Sequence, residues 1–181
     1  IMFGHTTGSG VRWVESAREN NGIMTPALMF SYSTGGGMIP QAVTEIYSVT
    51  GRPDGAEETV STGAMYLDSS DYEIMHDGDE QVVGITFPAV NVPAGAYIGA
   101  AMVIFDIDEV RPGQSDQPTT VNIYGELVAN SSPPSTTAFD LSTRAATSAA
   151  VTWQPETSVN VHDDLFTPDL SSVVQEIVNV P

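Results

Sequence analysis

The chain has 181 residues, and 41% of them are hydrophobic, which is enough to build the core of one domain of β-sandwich size. Its 23 acidic residues face only five basic ones, all arginine, so that the formal net charge is −18 at pH 7. This charge argues against nucleic-acid binding, which needs clustered lysine and arginine, and no run of about 18 apolar residues is present that could insert into a membrane. The absence of cysteine excludes disulfides and thiolate metal sites.

The N-terminal part contains three short strand-like segments, at residues 1–7, 11–16 and 27–33. In the third of them, Leu28, Phe30 and Tyr32 alternate with smaller or polar residues and therefore share one face. Residues 34–43 follow, with three consecutive glycines within residues 35–37 and a proline, which is typical of a flexible joint.

The rest of the chain continues as short apolar segments separated by Gly, Pro, Ser, Thr and Asp, a pattern typical of all-β proteins. The predicted strands here are residues 46–50, 82–87, 97–105, 119–128 and 149–153. The fourth alternates most regularly, with Val121, Ile123 and Leu127 predicted to point to the core. The fold class that follows is an antiparallel β-sandwich.

One segment near the C-terminus has the spacing of an amphipathic helix, and we predict a helix over residues 167–180. Its apolar positions recur three or four residues apart, at Leu170, Val173, Val174, Ile177 and Val178. Thr167 is placed as the N-cap with Pro168 as the first helical residue, and Pro181 is expected to end the helix.

Several segments together resemble a jelly-roll-type β-sandwich repeat of large secreted and surface proteins of aquatic bacteria. The matching stretches are residues 54–59, 67–74, 81–109, 119–126, 149–153 and 167–181. The resemblance implies a jelly-roll-like antiparallel sandwich with one short helix, an extracellular or cell-surface location and no known catalysis. We accordingly predict that the protein is not an enzyme.

The order of segments departs from that family pattern. In such repeats the helix is followed by a hydrophobic strand, a Gly-Ser-Gly turn, a strand with Arg, Glu and Ser, and a final strand. Here the matching segments, residues 1–16 and 26–33, come first. We therefore divide the chain into closing strands (1–33), a Gly-rich joint (34–43) and an incomplete sandwich (44–181). The residues predicted to fill the groove are Ile1, Phe3, Trp13, Val14, Leu28, Phe30 and Tyr32.

Three arrangements are open for residues 1–33. They fold back into their own sandwich, they insert into a neighbouring copy as in donor-strand complementation, or they complete a preceding repeat of a tandem array. We favour the second, because a glycine-rich joint allows the segment to reach a neighbour. Head-to-tail insertion does not close on itself, so the predicted function is a structural subunit of an extracellular, pilus-like filament made of copies of itself.

The main alternative is a carbohydrate-binding or adhesive module of a larger secreted tandem-repeat protein. Aromatic rings stack on sugar faces, and five aromatic residues are candidates for such a surface. They are Trp13, Trp153, Tyr66, Tyr72 and Tyr97.

Calcium is the predicted ligand of the acidic loops, because Ca²⁺ takes several carboxylate and carbonyl oxygens. One candidate cluster contains Asp54, Glu57 and Glu58. A second contains Asp106, Asp108, Glu109 and Asp116, with the first two expected on one face of a strand. Neither matches the spacing of an EF-hand.

A single sequon, Asn130-Ser131-Ser132, is followed by two prolines in a segment that reads as an exposed loop. Asn130 is therefore a candidate for N-linked glycosylation.

Overall fold

The computed structural model describes residues 1–16, 25–35, 42–93 and 95–181 and, at Arg52, the backbone alone. Within these ranges the chain forms twelve strands, one α-helix and a short 3₁₀ helix at Arg52–Asp54. In chain order they are β1 (Met2–Gly8), β2 (Arg12–Glu15), β3 (Ala27–Ser33), β4 (Ala42–Ser48), β5 (Gly55–Thr59), β6 (Met65–Tyr66), β7 (Asp71–Ile74), β8 (Gln81–Ile85), β9 (Tyr97–Glu109), β10 (Thr119–Glu126), β11 (Ala146–Trp153), β12 (Asp164–Phe166) and α1 (Ser171–Val178).

The strands form two antiparallel sheets packed face to face, so the protein is an all-β sandwich. The first sheet has the order β11-β10-β1-β8-β5-β6, and the second has the order β4-β3-β9-β2-β7, with β12 also paired to β9. The long strand β9 organises the second sheet, since β3 pairs with its first part and β2 with its end. This architecture confirms the fold class expected from the short, turn-separated strands.

The core lies between the two sheets and is built from the alternating inward positions of their strands. Phe3 of β1, Phe105 of β9 and Trp153 of β11 form its aromatic centre, with the Phe105 and Trp153 rings stacked at a centroid distance of 6.2 Å. Val103 and Ile107 continue the row along β9, and both are fully buried. From Ala101 to Ile107, alternation therefore directs every second side chain of β9 to the core.

The helix is shorter than predicted and starts later, at Ser171, with Leu170 rather than Thr167 at the N-cap. Thr167 instead extends the pairing of β12 with β9: its backbone N–H donates to the carbonyl of Val103, and its Oγ1 accepts from the Val103 N–H. The capping prediction was wrong because Thr167 satisfies strand backbone groups. No helix in the described ranges is both long and apolar enough to cross a membrane.

The end of β10 also differs from the prediction. The strand stops at Glu126, and a register shift against β11 falls between Tyr124 and Glu126. Leu127 is consequently exposed and does not share the inward face of Val121. Gly125 is buried, and a Cβ there would lie 2.5 Å from the Ile177 side chain, so the missing side chain lets α1 pack against β10.

Candidate functional site: the groove that holds residues 1–33

The N-terminal strands occupy interior positions in both sheets. β1 lies between β10 and β8, so it joins the two halves of the first sheet. β3 lies between β9 and β4 in the second sheet. Residues 44–181 alone therefore leave a gap in the middle of one sheet and separate β4 from β9 in the other. In the structure described here, the same chain fills both gaps.

All seven residues predicted to fill the groove lie on or against the core. Phe3, Trp13, Val14, Leu28 and Phe30 are buried. The remaining two, Ile1 and Tyr32, are partly buried and pack against the core cluster. Burial of one large apolar side chain contributes about 1.5–3 kcal/mol, so this set supplies a large part of the energy that holds the segment in place.

The turn between β1 and β2 fits tightly against the loop before β10. The backbone N–H groups of Ser9 and Gly10 both donate to the carbonyl of Pro118, at 3.2 Å each. Gly8 has a φ of +105°, which side chains rarely tolerate. A Cβ on Gly10 would overlap the carbonyl oxygen of Gln117 and lie 2.7 Å from the carbonyl carbon. The Gly-Ser-Gly sequence is thus required by a close backbone approach.

Arg12 is the residue of this groove that sequence reasoning missed. The residue is only 1% exposed, and its guanidinium donates to the carbonyls of Glu156 (2.6 Å), Gln117 (3.2 Å) and Pro155 (3.3 Å). Burial lowers the pKa of Arg12, and nearby Asp116 opposes that shift. The signal was available, because an arginine between Val11 and Trp13 in an apolar strand is unusual unless its charge has buried partners.

Trp13 packs under an arginine of the sandwich. The guanidinium of Arg111 lies 4.5 Å from the centre of the Trp13 ring, a cation–π contact. Arg111 also forms an ion pair of 2.6 Å with Glu109, which lowers the pKa of that carboxyl. Glu109, predicted as a calcium ligand, is therefore already engaged by a cation.

The two aromatic residues of β3 are covered by the neighbouring edge strand. Phe30 stacks on Tyr47 of β4 with ring centroids 5.7 Å apart, and Tyr32 lies 6.0 Å from Phe30. The hydroxyls of both tyrosines donate to the Glu45 carboxylate. Burial and the Glu45 carboxylate raise the pKa of Tyr32, and the hydrogen bond to Glu45 together with burial raises the pKa of Tyr47.

The covalent link between residues 1–33 and the sandwich is a hairpin connection. Ser33 and Ala42 are register partners at the loop end of the β3–β4 pair. β4 begins at Ala42, which lies inside the predicted joint of residues 34–43, and residues 36–41 of that joint lie outside the described ranges. Opening this connection frees the N-terminal segment without breaking any strand of residues 44–181.

The first predicted calcium cluster is divided among three separate roles. The Asp54 carboxylate accepts hydrogen bonds from the backbone of Thr50 and Gly51. Glu58 is fully buried on the outer side of the first sheet, where its carboxylate accepts from the N–H groups of Leu141 and Ser142. These two carboxylates therefore accept hydrogen bonds from backbone N–H groups at two different places and do not converge on one metal position.

Glu57, the third member of that cluster, pairs with Glu73. Its carboxylate accepts from the Glu73 backbone N–H at 2.8 Å. Burial, followed by the neighbouring Glu73 carboxyl, raises the pKa of Glu57 to about 9, and burial also raises the pKa of Glu73. A carboxyl that is neutral at pH 7 is a poor calcium ligand.

In the second predicted cluster, Asp106 does not lie with Asp108, Glu109 and Asp116 as expected but with two other residues. Potential ligand atoms of Glu15, Asp106 and His162 all lie within 4.8 Å of one another, the one such group of three in the described ranges. The His162 Nδ1 lies 3.1 Å from Asp106 Oδ1. A register shift between β2 and β9 skips Asp108, and Asp116 accepts from Gln117. A set with an imidazole favours a transition metal over calcium.

The five candidate aromatics do not form a sugar-binding surface. Trp13, Trp153 and Tyr72 are buried in the sandwich. Tyr66 and Tyr97 are exposed, but they belong to β6 of the first sheet and β9 of the second. A stacking platform needs several exposed rings on a shared surface, and these five residues do not supply one.

A cleft of about 530 Å³ opens beside the C-terminal end of α1. It is bounded by parts of the segments 86–92 and 128–133, and the core residues Leu28 and Ile85 reach its floor. Asn130 of the predicted sequon is exposed and lines this cleft. A glycan on Asn130 would therefore stand over the cleft.

Comparison of the chain with protein-family models, with curated proteins and with solved structures gave no match. Its function is therefore inferred from its own geometry.

Proposed function

We propose that the protein is a structural subunit of an extracellular, pilus-like filament, in which residues 1–33 of one copy complete the sandwich of the next. The observation that carries this proposal is the interior position of β1, between β10 and β8, in a segment joined to the sandwich by one hairpin connection. The location outside the cell is part of the proposal and follows the resemblance to secreted repeats.

When residues 1–33 are exchanged between two copies, their contacts with the sandwich stay the same. The groove residues, the Arg12 hydrogen bonds and the β1 and β3 ladders are the same whether the segment comes from the same chain or from a neighbour. The balance between the two forms then depends on the hairpin connection and on protein concentration, as in domain swapping. A glycine-rich connection is expected to open at low cost, because glycine-rich sequences behave as flexible chains.

Charge opposes the assembly and makes it dependent on cations. Copies with a net charge of −18 repel one another, and salt or divalent cations screen that repulsion. In this proposal Ca²⁺ acts at exposed acidic loops, such as the one that carries Asp116, by neutralising carboxylates that would otherwise face a neighbour.

The test uses cysteines introduced at register partners, since the native chain has none. Ser31 on β3 pairs with Ala100 on β9. The Ser31→Cys and Ala100→Cys proteins are unfolded, mixed, refolded at high concentration with calcium, and oxidised. A disulfide-linked heterodimer on a non-reducing gel is expected, because one copy supplies β3 and the other β9.

The matched control joins Asn122→Cys and Thr152→Cys, register partners that both lie within residues 44–181. This mixture is expected to give no heterodimer above background. The proposal is overturned if the Ser31 and Ala100 mixture cross-links no more than the control, while a chain carrying both Ser31→Cys and Ala100→Cys cross-links only within itself.

A further inference from the structure

We propose that a second copy of this chain pairs with the exposed edge of β4, extending the second sheet antiparallel from β4 to β4. The contact joins two molecules side by side. It does not depend on strand exchange, because β4 presents the same edge when residues 1–33 come from its own chain.

Hydrogen-bond alternation identifies which backbone groups face that edge. Val103 and Ala101 direct their backbone groups to Thr167 and Leu170, on one side of β9. Met102 therefore directs its groups to the opposite side, where β3 lies. The same alternation continues through β3 into β4, because the two strands pair residue by residue. It places the backbone N–H and C=O groups of Val43, Glu45 and Tyr47 on the side of β4 that faces β3.

The N–H and C=O groups of the alternate residues Ala42, Thr44, Ile46 and Ser48 consequently point away from β3. No strand in the described ranges pairs with this side of β4. The edge is regular, since seven consecutive register pairs with β3 show no shift. It carries no lysine, proline or bulge of the kind that protects edge strands from pairing.

Other edges of the two sheets are short, acidic or capped. β6 has two residues and β12 has three. β7 carries Asp71 and Glu73 among its four residues. On β11, the Glu176 carboxylate from α1 accepts hydrogen bonds from the N–H groups of Ser148 and Ala149. β4 thus offers the longest edge without such protection in the described part of the chain.

The outer side of the second sheet next to β4 is apolar. We call it the neutral face, and it consists of Ala27, Met29, Ile46, Met102, Ile104 and Phe166. Register partners place Ile46 beside Met29, and Met29 beside Met102. Ile46 is 61% exposed and Phe166 is 50% exposed. None of these residues is charged.

The charge of the molecule favours a second copy of the chain over a basic partner at this edge. A basic partner would gain most from the carboxylates that cover other parts of a molecule with a net charge of −18. A second acidic copy can approach closely only where carboxylates are few. The Glu45 carboxylate, the single charge of β4, points toward Tyr32 and Tyr47 and away from the edge. A twofold β4–β4 contact places the two neutral faces next to each other on one continuous sheet.

The first test measures association of the full chain by sedimentation velocity at rising concentration, in low and high salt. The native protein is expected to dimerise, and more strongly at high salt, because the Debye length falls from about 10 Å at 0.1 M to about 3 Å at 1 M. Ile46→Lys and Thr44→Pro are expected to remain monomeric. Thr44→Pro removes an outward N–H and leaves the β3–β4 ladder intact.

The matched control is Val60→Lys, which adds the same charge at a position that is 44% exposed and outside β4. It is expected to dimerise like the native protein. Circular dichroism melting should be unchanged for Ile46→Lys, which separates loss of the contact from loss of the fold.

Hydrogen exchange gives an independent measurement. The Thr44 and Ile46 amides are expected to exchange quickly in dilute protein and about tenfold or more slowly when concentrated, whereas the Glu45 amide is slow in both. The proposal is overturned by a protein that stays monomeric at all concentrations, or by a dimer in which Ile46→Lys has no effect. Strand exchange is read separately by the Ser31–Ala100 disulfide, so either proposal can fail alone.

Discussion

Phe3 and Phe105 meet edge to face across the two sheets, with ring centroids 5.4 Å apart and planes inclined by 68°. Phe3 comes from the N-terminal segment and Phe105 from the long strand of the opposite sheet. Edge-to-face aromatic pairs contribute about 0.5–1.5 kcal/mol beyond the burial of their surface. This contact therefore anchors β1 directly to the centre of the core.

Replacing Phe3 with alanine should lower the free energy of unfolding by about 3–5 kcal/mol, the usual cost of removing a buried phenylalanine side chain. Urea denaturation measures the loss. Thr6→Ala on the same strand is the control, because Thr6 is exposed, and it should change stability by less than about 0.5 kcal/mol. Equal effects of the two changes would contradict the placement of β1.

Gly10→Ala should destabilise the protein strongly, because the added Cβ meets backbone atoms of Gln117 that no side-chain rotation can move. Gly99→Ala should be nearly neutral, since its Cβ would lie 3.4 Å from the Ser31 hydroxyl with no overlap. Comparison of their thermal midpoints tests the close approach of the Gly-Ser-Gly turn. Similar midpoints would show that the turn does not lie against this loop.

Arg12→Met should cost at least about 2 kcal/mol, because each buried carbonyl left without a donor costs about 1–3 kcal/mol. Arg111→Met provides the comparison, since the Arg111 side chain is half exposed and its contact with Trp13 is expected to contribute about 0.5–1 kcal/mol. Denaturant unfolding of both variants measures the difference. A smaller loss for Arg12 than for Arg111 would contradict the role given to Arg12.

Stability should fall as pH rises through the range set by Glu57. Its pKa is about 9 in the folded protein and near 4.5 when unfolded, so between these values the folded state binds the extra proton. Raising the pH across this window therefore favours the unfolded state, and the stability present below pH 4.5 is lost as pH approaches 9.

Glu57→Gln should remove much of this pH dependence and melt higher than the native protein at pH 8. Melting curves from pH 5 to pH 9 test it, with Glu80→Gln as a control at an exposed carboxylate. A native melting temperature that rises over this range would show that Glu57 is ionised in the folded state.

The sequence predicted several strands correctly because their signal is local, although it placed β4 too late, at residues 46–50, and predicted no strand at β12. Alternation in residues 27–33 identified β3 with its bounds and its buried Leu28 and Phe30. The same local signal failed at Leu127, where a register shift against β11 turned the chain outward. It also failed at Thr167, whose hydroxyl accepts a hydrogen bond from the Val103 backbone N–H and so does not cap the helix.

The acidic clusters show why sites were harder to predict than strands. Asp54, Glu57 and Glu58 lie within five residues of the sequence, but each has a different partner. Glu57 and Glu58 are neighbours on one strand and therefore point to opposite faces. Glu15, Asp106 and His162 are far apart in sequence and come together only when β2 and the segment before β12 both lie along β9. Proximity of this kind has no local pattern.

By itself, the sequence determined that the chain is an acidic all-β protein, that residues 1–33 contain three strands, and which of their apolar residues face a core, because alternation and composition act through nearest neighbours. The tertiary structure decided that β1 lies between β10 and β8, that Arg12 is buried among carbonyls, and that β4 keeps an exposed edge. The first two features depend on contacts between residues more than 70 positions apart, such as Phe3 with Val83 and Ile123, and these are fixed only when the whole core closes. The edge of β4 stays exposed because, in the described ranges, β3 is the one strand that pairs with it.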